Sequence, residues 1–370
     1  MNIALPRRTA LVLGGGGLKG FAHIGVLRAL QERGIVPTVF AGTSIGAMIA
    51  AAHAGGMSLE QMERRALDLR RRDLFRLNHM GMLLERMRSP SLYLEEPLRE
   101  LCETTAPSGT FEDLNSTLLV NTVDVERGTQ VVWGLPGLRD VRVADAVYAS
   151  CALPGFFPPG YVDGRTCIDG GTVDNLPTGI AGSATDAVIA VDVGNTDVHR
   201  MHEALGGFAS IYVRAAQIMM HSLQQKPLST WQGPPMLLIR PAVAHVNWLS
   251  FNHTPELIQA GYEAAADGLD RIGELLCLGS GVYPRRRVQV LVDRDRCIGC
   301  QTCVAMAPHL MAMDAERKAY AIVSPLEWSP ADGEFVHHCP TSAISVETLD
   351  GSRRTTTEPT TQPTLAAADD

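Results

Sequence analysis

Short apolar runs and helical periods alternate from the first residues to about Leu278. Thr9–Gly14, Pro37–Thr43, Thr117–Val125, Tyr161–Ile168, Ala187–Gly194 and Met236–Pro241 are rich in Val, Leu and Ile and predict strands. Gly20–Arg33, Ile45–Ala54 and Ser210–Gln225 carry a helical period. This alternation predicts an α/β layered fold with a mainly parallel sheet. The run LGSGVYPRRR then reads as a linker, placed at 279–287. A compact module is expected over 288–347. The Thr-, Pro- and Ala-rich stretch 348–370 has no aromatic residue and is predicted to be disordered. No internal repeat is visible.

Composition narrows the class. The chain has 370 residues, 45% hydrophobic and 19% charged, enough for two domains with real cores. With 32 Lys and Arg against 40 Asp and Glu the net charge is −8, which leaves no basic surplus for a nucleic-acid partner. Eight cysteines are too few for a disulfide scaffold. Met1–Thr9 leads into no apolar signal core, and Ala41–Met57 is interrupted by Gly, Ser, Thr and His. A membrane span needs about 20 continuous apolar residues. A cytoplasmic protein is expected.

Three motifs carry chemistry. Gly14-Gly15-Gly16-Gly17-Leu18-Lys19-Gly20 lies between a strand and a helix, where free N–H groups and a helix dipole suit an anion. A dinucleotide loop would want an acid about 20 residues on. That region reads Val39-Phe40-Ala41-Gly42, and no Gly-Lys-Ser/Thr closes a P-loop. Gly42-Thr43-Ser44-Ile45-Gly46 is a G-x-S-x-G between an apolar strand and a small-residue helix, the context of a nucleophile elbow. Residue 44 comes too early for an ordinary α/β-hydrolase. Asp169-Gly170-Gly171 ends a strand-like run and offers either a general base or a turn aspartate.

Together, in this order, the motifs resemble the patatin-like phospholipase family. The match runs through LVLGGGGLKGFAHIGVLRAL, AGTSIGA, SCALPGFFPP and CIDGGTVDNLP, covering the core from about 10 to 180. The later IRPAVAHVNWLSFN and IQAGYEAA resemble the bacterial C-terminal extension and carry the domain to 278. The resemblance implies Ser44 as nucleophile, Asp169 as its base, and an oxyanion hole from Gly15, Gly16 and Gly17 extending to Lys19 and Gly20. It places Lys19 where a lipid phosphate can meet it. Gly42, Gly46, Gly170 and Gly171 support these turns.

A Ser–Asp pair needs no histidine. His23 reads as a core residue and His53 lies at the far end of the elbow helix; His199, His221 and His253 fall in no motif. Asp174 and Asn175 read as turn-stabilising, and Cys151 and Cys167 as small buried residues. The Met- and Arg-rich stretch Leu74–Leu101, with Met80, Met82, Met87, Arg76, Arg86 and Arg88, fits an amphipathic helix pair better than an acyl-lined interface.

The second module carries Cys297, Cys300 and Cys303 as C-x2-C-x2-C, with Cys339-Pro340 as a distant fourth. A two-cluster sequence would place another Cys-Pro where Ala307-Pro308 stands. The module therefore resembles single-cluster bacterial ferredoxins, a small α+β domain. Four ligands favour one [4Fe–4S] cluster over [3Fe–4S]. His337 and His338 read as exposed neighbours.

The whole implies an acyl-ester hydrolase of phospholipase A or lysophospholipase type, with an iron–sulfur domain for electron transfer or redox regulation. Its expected partners are a phospholipid or other acyl ester, a membrane surface and a redox protein. The alternative is a redox-sensing or electron-transfer protein whose hydrolase domain only binds lipid or a partner.

Overall fold

Four consecutive parallel neighbours form the centre of the molecule: β2 (Val39–Thr43), β1 (Thr9–Leu13), β7 (Ala187–Val191) and β8 (Met236–Ile239). Every residue of these strands is buried. Such all-apolar runs are what a parallel sheet covered on both faces requires. The computed structural model describes residues 8–77, 91–194, 227–277 and 279–349, together with 211, 215, 218, 219 and 223.

The chain divides into two compact units, Met1–Pro284 and Arg285–Asp370. In the first, β3 (Thr117–Asp124) extends the parallel sheet beyond β2. The hairpin partner β4 (Thr129–Trp133) pairs antiparallel with one edge of β3. On the other edge β2 and β6 (Arg165–Asp169) follow one another. Thr43 faces Asn121, and Asp169 faces Thr122 directly beyond it. β6 thus begins its pairing where β2 leaves the sheet.

The expected strand Tyr161–Ile168 is in fact a hairpin, β5 (Gly160–Val162) turning into β6 through Asp163 and Gly164. Both turn residues have positive φ, 46° and 70°. An Asp-Gly pair is suited to this left-handed two-residue turn. The boundary between the units falls inside the expected linker 279–287, part of which is paired as strand. Val282–Tyr283 (β9) adds a parallel strand beside β8, and Arg286–Val292 (β10) opens the second unit. Backbone pairing outweighs the loop-like side chains of that run.

Helices α1 (Ala22–Glu32) and α2 (Ile45–Ala54) follow β1 and β2. Among the described residues no helix is long and apolar enough to cross a membrane.

In the second unit β10 pairs antiparallel with β13 (Leu326–Trp328) and β14 (Ile344–Thr348), beside the hairpin β11 (Met311–Met313) and β12 (Ala319–Ala321). Its own core includes Val290, Met311, Phe335 and Ile344. Thr348, expected in the tail, is the last residue of β14; most of Ser210–Gln225 and the tail from 350 lie outside the described residues.

Candidate active site

Ser44 stands at the tip of the β2–α2 elbow with φ 56° and ψ −129°. A non-glycine residue pays strain for that conformation, which persists only where its surroundings force it. The flanking glycines explain how they do. A Cβ on Gly42 would stand 2.5 Å from the amide nitrogen of Ala47, and one on Gly46 would overlap the Leu13 carbonyl. The elbow is also pinned by a hydrogen bond. The Ser44 N–H donates to Ser150 Oγ at 2.9 Å, and Ser150 Oγ donates to the Asn121 carbonyl at 2.7 Å.

The β6–β3 register delivers Asp169 to the same place, where its carboxyl interacts with the Ser44 side chain and both line one cavity. Asp169 is buried, and the Gly171 N–H donates to its Oδ1 at 2.8 Å. Burial pushes its pKa up to about 6, against the opposing pull of the Gly171 amide and Ser44. The carboxyl is therefore ionised at neutral pH yet basic enough to accept a proton.

The glycine loop is tied down on its inner side. Gly14 N–H donates to Val191 O at 3.0 Å, Gly15 N–H to Asn175 O at 3.1 Å, and Leu18 N–H to Trp248 O at 2.8 Å. Gly15 therefore cannot donate to an oxyanion through its own amide. The 3₁₀ turn Gly17–Phe21 follows, and its i→i+3 pattern engages the amides of Lys19 and Gly20. Among the described residues, Gly16 and Gly17 are the cavity-lining residues of the loop whose amides make no hydrogen bond within the protein.

His23 is a core residue, as its position in α1 suggests. Its Nε2–H donates to the Gly14 carbonyl at 2.8 Å, and burial drives its pKa down to about 4. His53 packs edge-on against Phe40, and His253 bonds Glu256 at the surface. His199 and His221 lie outside the described residues.

Ser44, Asp169, Gly15, Gly16, Gly17 and Lys19 all line one cavity of about 350 Å³. Most of its remaining wall is apolar, including Met48, Ile49, Met62, Leu98 and Phe157, with Arg65, Thr105, Thr172 and Asn175 among its polar members. Leu74 and Leu101 also line it, whereas Met80, Met82, Met87, Arg86 and Arg88 lie outside the described residues. Lys19 is only 2% exposed, and burial lowers its pKa to about 8 despite the nearby Asp192 carboxylate. Cys151 is more than filler. It lines the cavity and interacts with the side chains of Cys102 and Ser44. The Cys102 contact, and then burial, hold its thiol well above the ordinary range, so it stays protonated and unreactive. Cys167 is buried in β6, as expected of a packing residue.

Sequence reasoning passed over Ser150, Asn121 and Trp248, which bear no motif chemistry of their own. Asn175 was legible only as a turn residue. Its side-chain Nδ2 donates to Gly15 O at 3.0 Å.

In the second unit Cys297, Cys300, Cys303 and Cys339 surround one small cavity. Gly299 (φ 71°) and Gln301 (φ 65°) wrap the first three around it. Ala319 N–H donates to Cys297 Sγ at 3.4 Å and Ala343 N–H to Cys339 Sγ at 3.3 Å. Burial would raise the Cys339 thiol, but the amides of Ala343, Thr341 and Ile344 and the Thr341 hydroxyl outweigh it and lower the pKa. Four convergent sulfurs with amide donors fit an iron–sulfur cluster. Ala307, where a further ligand would stand, is buried in the unit's core. His338 is exposed and donates to Glu334 O.

Residues 11–181 match the patatin-like phospholipase family, and residues 292–346 match the 4Fe-4S single cluster domain of ferredoxin I. An uncharacterized NTE family protein of Mycobacterium tuberculosis is 34% identical over 198 residues, 53% of this chain and 52% of that protein. The chain thus spans about half the length of this relative. Lysophospholipase nte1 of Aspergillus fumigatus is 28% identical over 295 residues, covering 72% of this chain and 18% of that one. Among solved structures, VipD from Legionella pneumophila aligns with a TM-score of 0.39 at 17% identity, over 72% of this chain and 67% of that one.

Proposed function

The chain carries a patatin-like phospholipase domain followed by a 4Fe-4S single-cluster domain, and from that premise we propose that it is a serine acyl-ester hydrolase of phospholipase A or lysophospholipase type. The observation that carries this reading is the juxtaposition of the strained Ser44 and the buried Asp169, which interact at the wall of one largely apolar cavity.

Ser44 Oγ attacks the ester carbonyl carbon while its proton passes to the Asp169 carboxylate. The carbonyl oxygen becomes an oxyanion that accepts the amides of Gly16 and Gly17, an interaction worth about 2.7–4 kcal/mol per donor. Collapse of the tetrahedral intermediate breaks the ester C–O bond, and the leaving alcohol takes the proton from Asp169. Water then repeats the sequence on the acyl-serine and releases the fatty acid.

A cavity of about 350 Å³ is at the small end for ligand sites, which supports one acyl chain at a time. The lysophospholipase name of the Aspergillus relative points the same way. The Lys19 ammonium in this cavity suits an anionic headgroup. Exposed Leu67 and Leu77 among the surface arginines of 64–76 suit peripheral contact with an anionic membrane. Cys297, Cys300, Cys303 and Cys339 would hold one [4Fe–4S] cluster, which supplies one-electron transfer or redox sensing with a partner protein. Thiolate ligands of this kind suit a reducing, cytoplasmic setting.

The test is fatty-acid release from mixed phospholipid and lysophospholipid vesicles by anaerobically purified protein, with Ser44→Ala alongside. Release that vanishes in the variant is expected. No release from either protein, with iron and sulfide present, overturns the hydrolase reading in favour of electron transfer or sensing.

A further inference from the structure

The glycine loop and the segment that follows Asp169 are joined at two points, both through one residue. Gly15 N–H donates to the backbone carbonyl of Asn175 at 3.1 Å, and Asn175 Nδ2 donates back to Gly15 O at 3.0 Å. Asn175 is 4% exposed and lines the cavity that contains Ser44. Space there is tight: a Cβ built on Gly15 would run into Asn175 Oδ1 and stand 3.2 Å from Ser44 Cβ.

We propose that Asn175 is a positioning residue that aims the Gly16 amide at the oxyanion. The inference rests on the hydrolase reading above. The Gly15 carbonyl and the Gly16 N–H belong to one planar trans peptide, so they point in opposite directions. Holding the carbonyl on Asn175 Nδ2 turns the Gly16 N–H the other way. The preceding peptide is held in the same manner, with Gly14 O on His23 Nε2 at 2.8 Å and Gly15 N–H on Asn175 O. The polar groups of Gly15 are thus committed, and Gly16 is the first residue of the loop whose amide is available.

The anchor itself is rigid. The Asp174 carbonyl, in the peptide that leads into Asn175, accepts from Thr43 Oγ1 at 3.1 Å and from Asn121 Nδ2 at 2.6 Å. Gln130 Nε2 donates to Asn121 Oδ1 at 2.9 Å, closing the network. Thr43 immediately precedes the nucleophile. One polar cluster therefore fixes the elbow, the segment beyond the base and the oxyanion loop relative to one another.

The test compares wild type, Asn175→Ala and Asn175→Asp in ester hydrolysis, in labelling of Ser44 by a fluorophosphonate and in thermal unfolding. Asn175→Asp keeps the shape but loses the donor when ionised. Both variants are expected to stay folded and to lose kcat by about 10²-fold, the scale of a misplaced catalytic group, with KM nearly unchanged. Labelling of Ser44 slows in parallel. The ratio of Asp-variant to Ala-variant activity should rise as the pH falls, because a protonated carboxyl regains an O–H that can donate to Gly15 O. The contribution of Asp169 cancels in that ratio. An unchanged kcat, a loss confined to KM, a pH-independent ratio or unfolding of both variants overturns the proposal. Wild-type protein that neither hydrolyses ester nor labels overturns the hydrolase reading itself.

Discussion

Asp169 reaches Ser44 because β6 takes over the edge of β3 where β2 leaves it. Thr43 is paired with Asn121, Asp169 is paired with the next residue, Thr122, and the Asp169 carboxyl thereby comes to interact with the Ser44 side chain. Two residues far apart in the chain are thus set in register by the sheet itself. In the proposed dyad the base needs no histidine intermediary.

Ser44→Ala and Asp169→Asn are each expected to reduce fatty-acid release by at least about 10³-fold, since nucleophile and base act as a unit. Both should fold. A variant retaining wild-type turnover in the vesicle assay would exclude its residue from the reaction.

Hydrolysis should fall as the pH drops through about 6, where Asp169 takes up its proton. Stability runs the opposite way. The folded pKa of this carboxyl lies above its ordinary 3.8, so its contribution is fully present below about 4 and is lost as the pH rises through about 6. Asp169→Asn should therefore gain in melting temperature over wild type between pH 4 and pH 8. A gap that is constant with pH would show that burial does not raise this pKa.

At the alkaline end Lys19 loses its charge near pH 8. With an anionic lysophospholipid, KM should rise above that pH; with an uncharged monoacyl ester it should not. Equal KM profiles for the two substrates would remove Lys19 from headgroup binding.

Gly46→Ala drives a methyl group into the Leu13 backbone and is expected to abolish folding. Gly16→Ala instead meets the Val193 side chain at 2.9 Å and the Val193 carbonyl at 3.1 Å, so the loop shifts. It should cost turnover, on the order of 10²-fold, more than stability. Ser150→Ala removes the partner of the partly buried Ser44 amide and should cost about 1 kcal/mol in denaturant unfolding.

Cys300→Ser should lose the visible absorbance and iron content of the second unit. Each unit has its own apolar core, so hydrolysis by this variant is expected to be unchanged. A different rate, or different rates with the cluster oxidised and reduced, would show that cluster state reaches Ser44.

The motifs were legible in the sequence because each rests on a local demand. A G-x-S-x-G is needed where backbone crowds the elbow at Gly42 and Gly46, and C-x2-C-x2-C is needed to wrap three thiolates round one site. Apolar strands at 9–13, 39–43, 187–191 and 236–239 were equally plain, since a covered parallel sheet leaves no polar alternation to misread. The Asp163-Gly164 turn and the pairing of Val282–Tyr283 were missed because turn geometry and edge pairing depend on neighbours absent from the local text.

What only the tertiary structure decided is which groups are left free to act. Gly15 and Gly16 are identical as letters, but the Gly15 amide is engaged by Asn175 and the Gly16 amide is not. Cys151 and Cys167 look alike in sequence, but one touches Ser44 and the other is packed inside a strand. Residue type sets the chemistry a side chain or amide can offer. Hydrogen-bond partners and burial, supplied by distant segments, determine whether it is offered to a substrate or used to hold the fold.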